Sequence, residues 1–372
     1  MQTPRANHLA LIDGSRLIVE SCVQAGADVY VGYPITPASL IYTYSSQRFP
    51  ALLPAPDEIT VLQWMAGLSA AGSLPVTATS FPGFALMVES LNMAYMMELP
   101  MLVVLVQRLG PSTGSATVGA QGDLWLLHGL ISGGYPLPVL CISDLEDCWK
   151  LPPVGLQTAL ALRTPLILLT SKEMVMTQAD FDLARLDPIS PLMRETSDGK
   201  KLHNNPNPQA SLTPAFLPVG NPHTQVRLNA STHDPQGILR DSTPEALANS
   251  LRLGKKIEQS APQLYDLDEQ VGSKTLLVSY GITSGACRAA TIELRRKGTP
   301  LSLLIARTLL PIPNIYYEIM ERYPRVIVAE ENQPGQFCRL LFGGKLPEKV
   351  SQVTGIGSML SPQMISEVIQ TR

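Results

Sequence analysis

The chain has 372 residues, 28 lysines and arginines against 31 aspartates and glutamates, and a formal net charge of −3. That length suggests about two domains, and so balanced a charge with no basic stripe excludes a nucleic-acid partner. No run of about 18 uncharged apolar residues occurs, which excludes a membrane-spanning helix.

The start, Met1-Gln-Thr-Pro-Arg-Ala-Asn-His8, lacks a basic-then-apolar export signal. Five cysteines (Cys22, Cys141, Cys148, Cys287 and Cys338) form no CxxC pair and mostly sit in apolar runs. They read as reduced, buried and inert, predicting a cytoplasmic protein with no iron–sulfur cluster of its own.

In chain order, apolar spacing predicts a helix over Gly14–Gln24 and a buried strand over Ala27–Val31. Val31-Gly-Tyr-Pro-Ile-Thr-Pro-Ala38 follows. Pro34 and Pro37 fix φ and remove donors there, so the next helix starts only near Ser39. Asp57–Gly72 reads as helix, Val76–Ser80 as strand, Phe81-Pro-Gly83 as turn and Phe84–Met97 as a methionine-rich helix. Met101–Val106 is uninterruptedly apolar, as central parallel strands are. Gln107–Thr117 is a glycine-bearing loop. Asp123–Leu130 and Asp144–Leu162 read as helices, Pro138–Ile142 and Pro165–Leu169 as strands. This alternation predicts an α/β fold with a doubly wound parallel sheet.

From Asp187 to Thr243 prolines and asparagines crowd into an irregular connector, then Pro244–Ser260 reads as a linking helix. A second, smaller α/β unit follows. Its strands are Thr275–Ser279, Leu301–Ile305, Arg325–Ala329 and Gln352–Gly355; its helices are Ser284–Lys297, Asn314–Tyr323 and Ser361–Gln370. The expected division is 1–186, 187–270 and 271–372.

Four elements of the first unit end in polar, ligand-type sequence at one sheet edge: Tyr33-Pro-Ile-Thr36, Asp57-Glu58, Thr79-Ser80 and Gln107-Arg108. In open α/β sheets that edge is where ligands bind. Arg108, closing a buried strand, offers a bidentate fork for a carboxylate; pairing with Asp123 or Glu98 is the alternative. Glu58 stands among Ile59, Val61 and Leu62. It either complements its helix dipole or, in an apolar pocket, has a raised pKa and exchanges protons with a nitrogen heterocycle.

Other leads fail. Asp198-Gly199 with Asn204-Asn205 is too closely spaced for a metal–diphosphate motif, and Gly355-Ile-Gly357 lacks the third glycine of a dinucleotide site. His8, His128, His203, His223 and His233 have no metal-ligand spacing, so no metal site is expected here. Tyr280-Gly-Ile-Thr-Ser-Gly285 reads as a tight turn sooner than an anion site.

Together, Gly32-Tyr-Pro-Ile-Thr-Pro37, Asp57-Glu-Ile59, Thr77-Ala-Thr-Ser80 with Pro82-Gly-Phe84, Glu98-Leu-Pro100, Gln107-Arg108 with Gly110-Pro-Ser-Thr-Gly114, and Thr232-His-Asp234 resemble the α subunit of 2-oxoacid:ferredoxin oxidoreductases, most closely the 2-oxoglutarate type. The resemblance implies a thiamine diphosphate enzyme that decarboxylates a 2-oxo acid oxidatively to its acyl-CoA and passes electrons to ferredoxin. It implies that this chain supplies the pyrimidine-binding domain and a smaller transketolase-C-terminal-like domain. By that resemblance Glu58 bonds the pyrimidine nitrogen and Thr36 and Arg108 face the 2-oxo acid. Tyr33, Pro34, Ile35, Thr79 and Ser80 complete the cofactor-binding set. The diphosphate, Mg2+ and [4Fe-4S] sites are then expected on a β subunit, with γ and ferredoxin-like chains as further partners.

Three departures stand out: Gly14-Ser-Arg16 where the family has Gly-Asn-Glu, Phe81 where it has glycine, and Leu109 in place of a glycine. They leave open an aromatic or branched 2-oxo acid, or a non-catalytic scaffold role.

Overall fold

The apolar runs of the sequence become the inner strands of two sheets in the computed structural model, which describes residues 8–194, 212–222 and 225–371. The first half runs β1 (Leu9–Ile12), α1 (Gly14–Gln24), β2 (Val29–Gly32), α2 (Ser39–Arg48), β3 (Ala51–Pro54), α3 (Glu58–Ala70), β4 (Pro75–Thr79), α4 (Phe81–Met96), β5 (Met101–Gln107), α5 (Leu124–His128), β6 (Val139–Cys141), α6 (Leu145–Leu162), β7 (Pro165–Ser171), α7 (Lys172–Met176) and β8 (Ala179–Asp182). The second runs α8 (Pro244–Ser260), β9 (Tyr265–Asp268), β10 (Thr275–Tyr280), α9 (Thr283–Arg296), β11 (Ser302–Ala306), β12 (Thr308–Leu310), α10 (Asn314–Glu321), β13 (Arg325–Glu330), α11 (Gln336–Phe342), β14 (Val350–Thr354) and α12 (Pro362–Gln370).

The larger sheet has the order β12-β6-β7-β5-β4-β2-β3, and the smaller β14-β13-β10-β11-β9. All pairings within them are parallel except those of the edge strands β12 and β9. The short β1 and β8 pair antiparallel by themselves. The fold class is therefore the one expected, two α/β units with parallel sheets.

Burial explains why β5 sits centrally. All its residues are buried. Met101, Val103 and Leu105 enter one core while Leu102, Val104 and Val106 enter another on the opposite face, the two-sided covering that parallel strands require. The first of these cores continues into Leu276, Val278 and Leu304 of the smaller sheet, so the units share apolar packing.

Helix starts follow their caps. Asp13 accepts from Arg16 N at 3.0 Å, Asp57 from Thr60 N at 2.7 Å and Asp144 from Asp147 N at 2.9 Å. One boundary moves from expectation. The segment Phe81-Pro-Gly83 is not a turn ahead of α4 but its first turn, with Ser80 at the N-cap, because a proline in the first helical turn loses no hydrogen bond. Among the described residues of 187–243 there is no helix and only the isolated bridge His233–Leu239.

Candidate functional site

Because β2, β3, β4 and β5 are parallel, their carboxyl ends share one edge. In the order β3-β2-β4-β5 the chain leaves β2 for β3 on one side while β4 lies on the other. That is the switch point at which such sheets open a crevice. The four polar segments singled out in the sequence stand around it: residues 33–36 after β2, Asp57 and Glu58 at the head of α3, Thr79 and Ser80 ending β4, and Gln107 and Arg108 closing β5.

Glu58 is the first residue of α3 and only 6% exposed. No other described residue donates a hydrogen bond to its carboxylate. Burial, with a smaller push from Asp57, raises its pKa above the ordinary carboxylate value. Its position explains a glycine: a Cβ on Gly83 would overlap both the Glu58 carboxylate and the Thr79 hydroxyl. The heads of α3 and α4 therefore close on each other around this acid. Thr79 and Ser80 are fully buried; Thr79 Oγ1 donates to Ser80 O at 3.3 Å, whereas Ser80 Oγ has no partner.

Arg108 and Thr36 meet. Arg108 Nη1 donates to the Thr36 carbonyl at 2.6 Å, so the threonine contributes its backbone there and keeps its hydroxyl free of that contact. Arg108 is buried and its Nε has no partner. Of the two acids that sequence offered as its mates, Glu98 is engaged elsewhere: Arg252 and Lys256 bond it. Asp123 does lie in the field of Arg108, but the two form no ion pair. Burial raises the Asp123 carboxyl to about 7, and Arg108 offsets that only in part; its Oδ2 is unpartnered. Tyr33 (39% exposed) and Pro34 form an open lip, with Ile35 and Thr36 half-buried behind them.

The edge thus combines a buried carboxyl whose pKa burial raises, a buried guanidinium with an unused N–H, and hydroxyls from Thr36, Thr79 and Ser80. Such a set can exchange a proton with a basic ring nitrogen and hold an anion beside it.

Sequence reading missed several contributors. Asp123 entered it only as a mate for Arg108. Gln121, described below, has no signal at all. Thr232-His-Asp234 is a structural turn: Asp234 Oδ1 accepts from Gln236 N and Ile238 N, each at 3.0 Å. Asp198-Gly199, Asn204-Asn205, His203 and His223 lie outside the described residues. A cavity of about 650 Å³ opens at the opposite, amino edge of the sheet, lined by Ser69, Pro100, Arg163 and Phe216 among others; none of the polar segments above reaches it.

Residues 20–248 match the family described as pyruvate flavodoxin/ferredoxin oxidoreductase, thiamine diphosphate-binding. The chain is 32% identical over 347 residues to the 2-oxoglutarate oxidoreductase subunit KorA of Mycobacterium tuberculosis, a match covering 89% of this chain and 52% of that protein. It is 27% identical over 355 residues to the 2-oxoglutarate synthase subunit KorA of Methanocaldococcus jannaschii, covering 94% and 95%. It thus spans about half of the mycobacterial relative and nearly all of the archaeal one. A solved 2-oxoglutarate:ferredoxin oxidoreductase from Magnetococcus marinus, with 2-oxoglutarate, coenzyme A and succinyl-CoA bound, superposes with TM-score 0.90 at 27% identity, over 100% of this chain and 66% of that one. A split-gene transketolase (TM-score 0.56, 13% identity) shares the fold alone, over 97% of this chain and 98% of that one. With the family match covering more than half its length, the chain belongs to the pyruvate flavodoxin/ferredoxin oxidoreductase family, among the α subunits of 2-oxoacid:ferredoxin oxidoreductases.

Proposed function

We propose that this chain is the α subunit of an enzyme that oxidatively decarboxylates a 2-oxo acid to its acyl-CoA in the cytoplasm, electrons passing to ferredoxin. The observation that carries it is the partnerless, buried Glu58 packed on Gly83 and Thr79 at the sheet's switch point. That acid fits the pyrimidine half of thiamine diphosphate. Tyr33, Pro34, Ile35, Thr79 and Ser80 would help to hold it. When bound, the cofactor supplies the electron sink for decarboxylation. Glu58 presents its carboxyl where a ring nitrogen can share a proton with it; burial raises the pKa of that carboxyl and strengthens the bond. Arg108, with its unused Nε–H, and the Thr36 hydroxyl orient the 2-oxo acid's carboxylate end.

In this reading residues 1–186 are the pyrimidine-binding domain, 187–270 the connector and linking helix, and 271–372 the transketolase-C-terminal-like domain. A β subunit brings the diphosphate site with its Mg2+ and a [4Fe-4S] cluster, and γ and ferredoxin-like chains complete the assembly. The relatives' names support 2-oxoglutarate as substrate. A second reading, an acid with an aromatic or branched side chain, is favoured by Phe81, half-buried at the head of α4, and by Leu109 after Arg108.

The test is co-purification with the partner chains, followed by assay of 2-oxo acid-dependent reduction of an electron acceptor with and without thiamine diphosphate. Turnover that ignores the cofactor, or survives Glu58→Gln, sinks the proposal.

A further inference from the structure

The loop that begins at Arg108 and ends at Asp123 belongs to the first sheet, yet its far end is held by the second. Gln121 is fully buried and makes more cross-unit hydrogen bonds than its residue type suggests. Its Nε2 donates to Tyr280 O at 2.8 Å, at the end of β10. Its Oε1 accepts from Thr283 Oγ1, the head of α9, and from Glu331 N, just past β13, both at 2.7 Å. Its backbone N donates to Glu331 O at 2.9 Å, and its carbonyl accepts from Asn332 Nδ2 at 3.1 Å. Next door, Gln336 Nε2 donates to Gly122 O at 2.8 Å.

The place is informative. In the order β14-β13-β10-β11-β9 the chain leaves β10 for β11 on one side and later returns to β13 on the other, so the second sheet has its own switch point between β10 and β13. Ligands of open α/β sheets bind at such points. Here the Gln121 side chain fills it. Gly281, at φ +57°, makes room, since a Cβ there would press on Gln121 Nε2 at 2.6 Å.

The loop transmits the constraint. Leu109 N donates to Val118 O at 2.7 Å and Ser115 N to Leu109 O at 2.9 Å, closing the loop on the residue after Arg108. Gly119 N donates to Glu173 Oε1 at 3.0 Å. Two residues beyond Gln121 comes Asp123, whose carboxyl lies in the field of Arg108.

We propose that Gln121 is a positioning residue: seated in the switch point of the second sheet, it fixes the Arg108–Asp123 loop and so sets how the arginine meets the substrate carboxylate. This deepens the functional reading above and rests on it for the substrate's chemistry.

The experiment uses the assembled complex with three variants. Gln121→Ala removes every side-chain bond, and Thr283→Val removes a single donor with less risk to folding. Arg307→Ala breaks another bridge between the two units, the pair of Arg307 Nε with Asp147 at 2.8 Å, neither of which bonds a residue of the loop. Losing a hydrogen bond of ordinary strength in the positioning of Arg108 raises KM for the 2-oxo acid by about fivefold or more in the first two variants, with a smaller change in kcat. Arg307→Ala lowers thermal stability and leaves KM unchanged. In parallel, amide exchange over residues 109–123 rises in the first two variants and not in the third. Unchanged exchange in Gln121→Ala overturns the proposal whatever the enzyme turns over, as does a KM shift in Arg307→Ala equal to theirs. A wild-type complex without thiamine-dependent turnover overturns the functional reading instead, and the exchange data then judge the positioning claim alone.

Discussion

Glu58 and Glu98 are each 6% exposed, both belong to the first sheet's surroundings, and they stand at opposite edges of it. Glu98, just ahead of β5, is saturated. Arg252 holds it with two bonds of 2.9 and 2.7 Å, and Lys256 Nζ donates to it at 2.6 Å. Burial alone would raise its pKa, but Lys256 and Arg252 outweigh burial and bring it to about 2. Burial draws the Lys256 ammonium down to about 8 despite Glu98. Glu98 even takes a left-handed backbone, φ 57°, uncommon for a residue with a side chain. At the other edge Glu58 has no mate, nor do Asp123 Oδ2, Arg108 Nε and Ser80 Oγ. Equal burial with opposite pairing separates a group that ties the chain together from groups left open for a ligand.

The sharpest way to break this contrast is at Glu58. Glu58→Gln is expected to lower thiamine-dependent turnover by at least about a hundredfold while leaving the melting temperature unchanged. A loss of folding rather than turnover, seen by calorimetry, would place it with Glu98. Glu98→Ala should do the reverse, costing about 3–5 kcal/mol in denaturant unfolding because Arg252 and Lys256 are left buried and uncompensated.

Gly83→Ala presses a methyl group against the Glu58 carboxylate and should reduce turnover about tenfold or more, with only a small change in unfolding. The pH dependence gives the finest distinction. Glu98, depressed to about 2, stabilises the fold fully above its unfolded value near ~4.3 and loses that contribution as pH falls toward about 2. Asp123, raised to about 7, works the other way: its contribution is whole below its unfolded value near ~3.9 and lost as pH rises through about 7. The melting temperature of the wild type should therefore decline relative to Asp123→Asn between those two values and run parallel to it above them. Parallel curves across the whole range would show that Asp123 is ionised in the folded protein.

Much of this was legible in the chain. The apolar run Met101–Val106 and the capped helices Gly14–Gln24 and Pro244–Ser260 appear at their expected places, because burial on both faces and a side-chain cap are local properties. The polar segments at one edge were legible for the same reason, since each directly follows a strand or heads the next helix. The elements missed were β1, β3, β8, β9, β12, α7 and α11. The strands are short and made by distant pairing; Ala51–Pro54, bounded by prolines, carries no alternation of its own. Nor could spacing foresee Glu98 with Lys256, 158 positions apart, or Gln121, whose partners only the second sheet assembles. Phe81-Pro-Gly83 was misjudged because a proline that ends helices elsewhere is at home in their first turn.

The pairing of β12 with β6 has a consequence for how the protein is made. The border of the larger sheet is a segment near residue 309, so while the chain is being synthesised β6 presents an unpaired edge until that segment emerges. Bare edges of this kind invite misassembly. A truncated N-terminal fragment is therefore expected to aggregate, and chaperone dependence should fall once residues 308–310 are added.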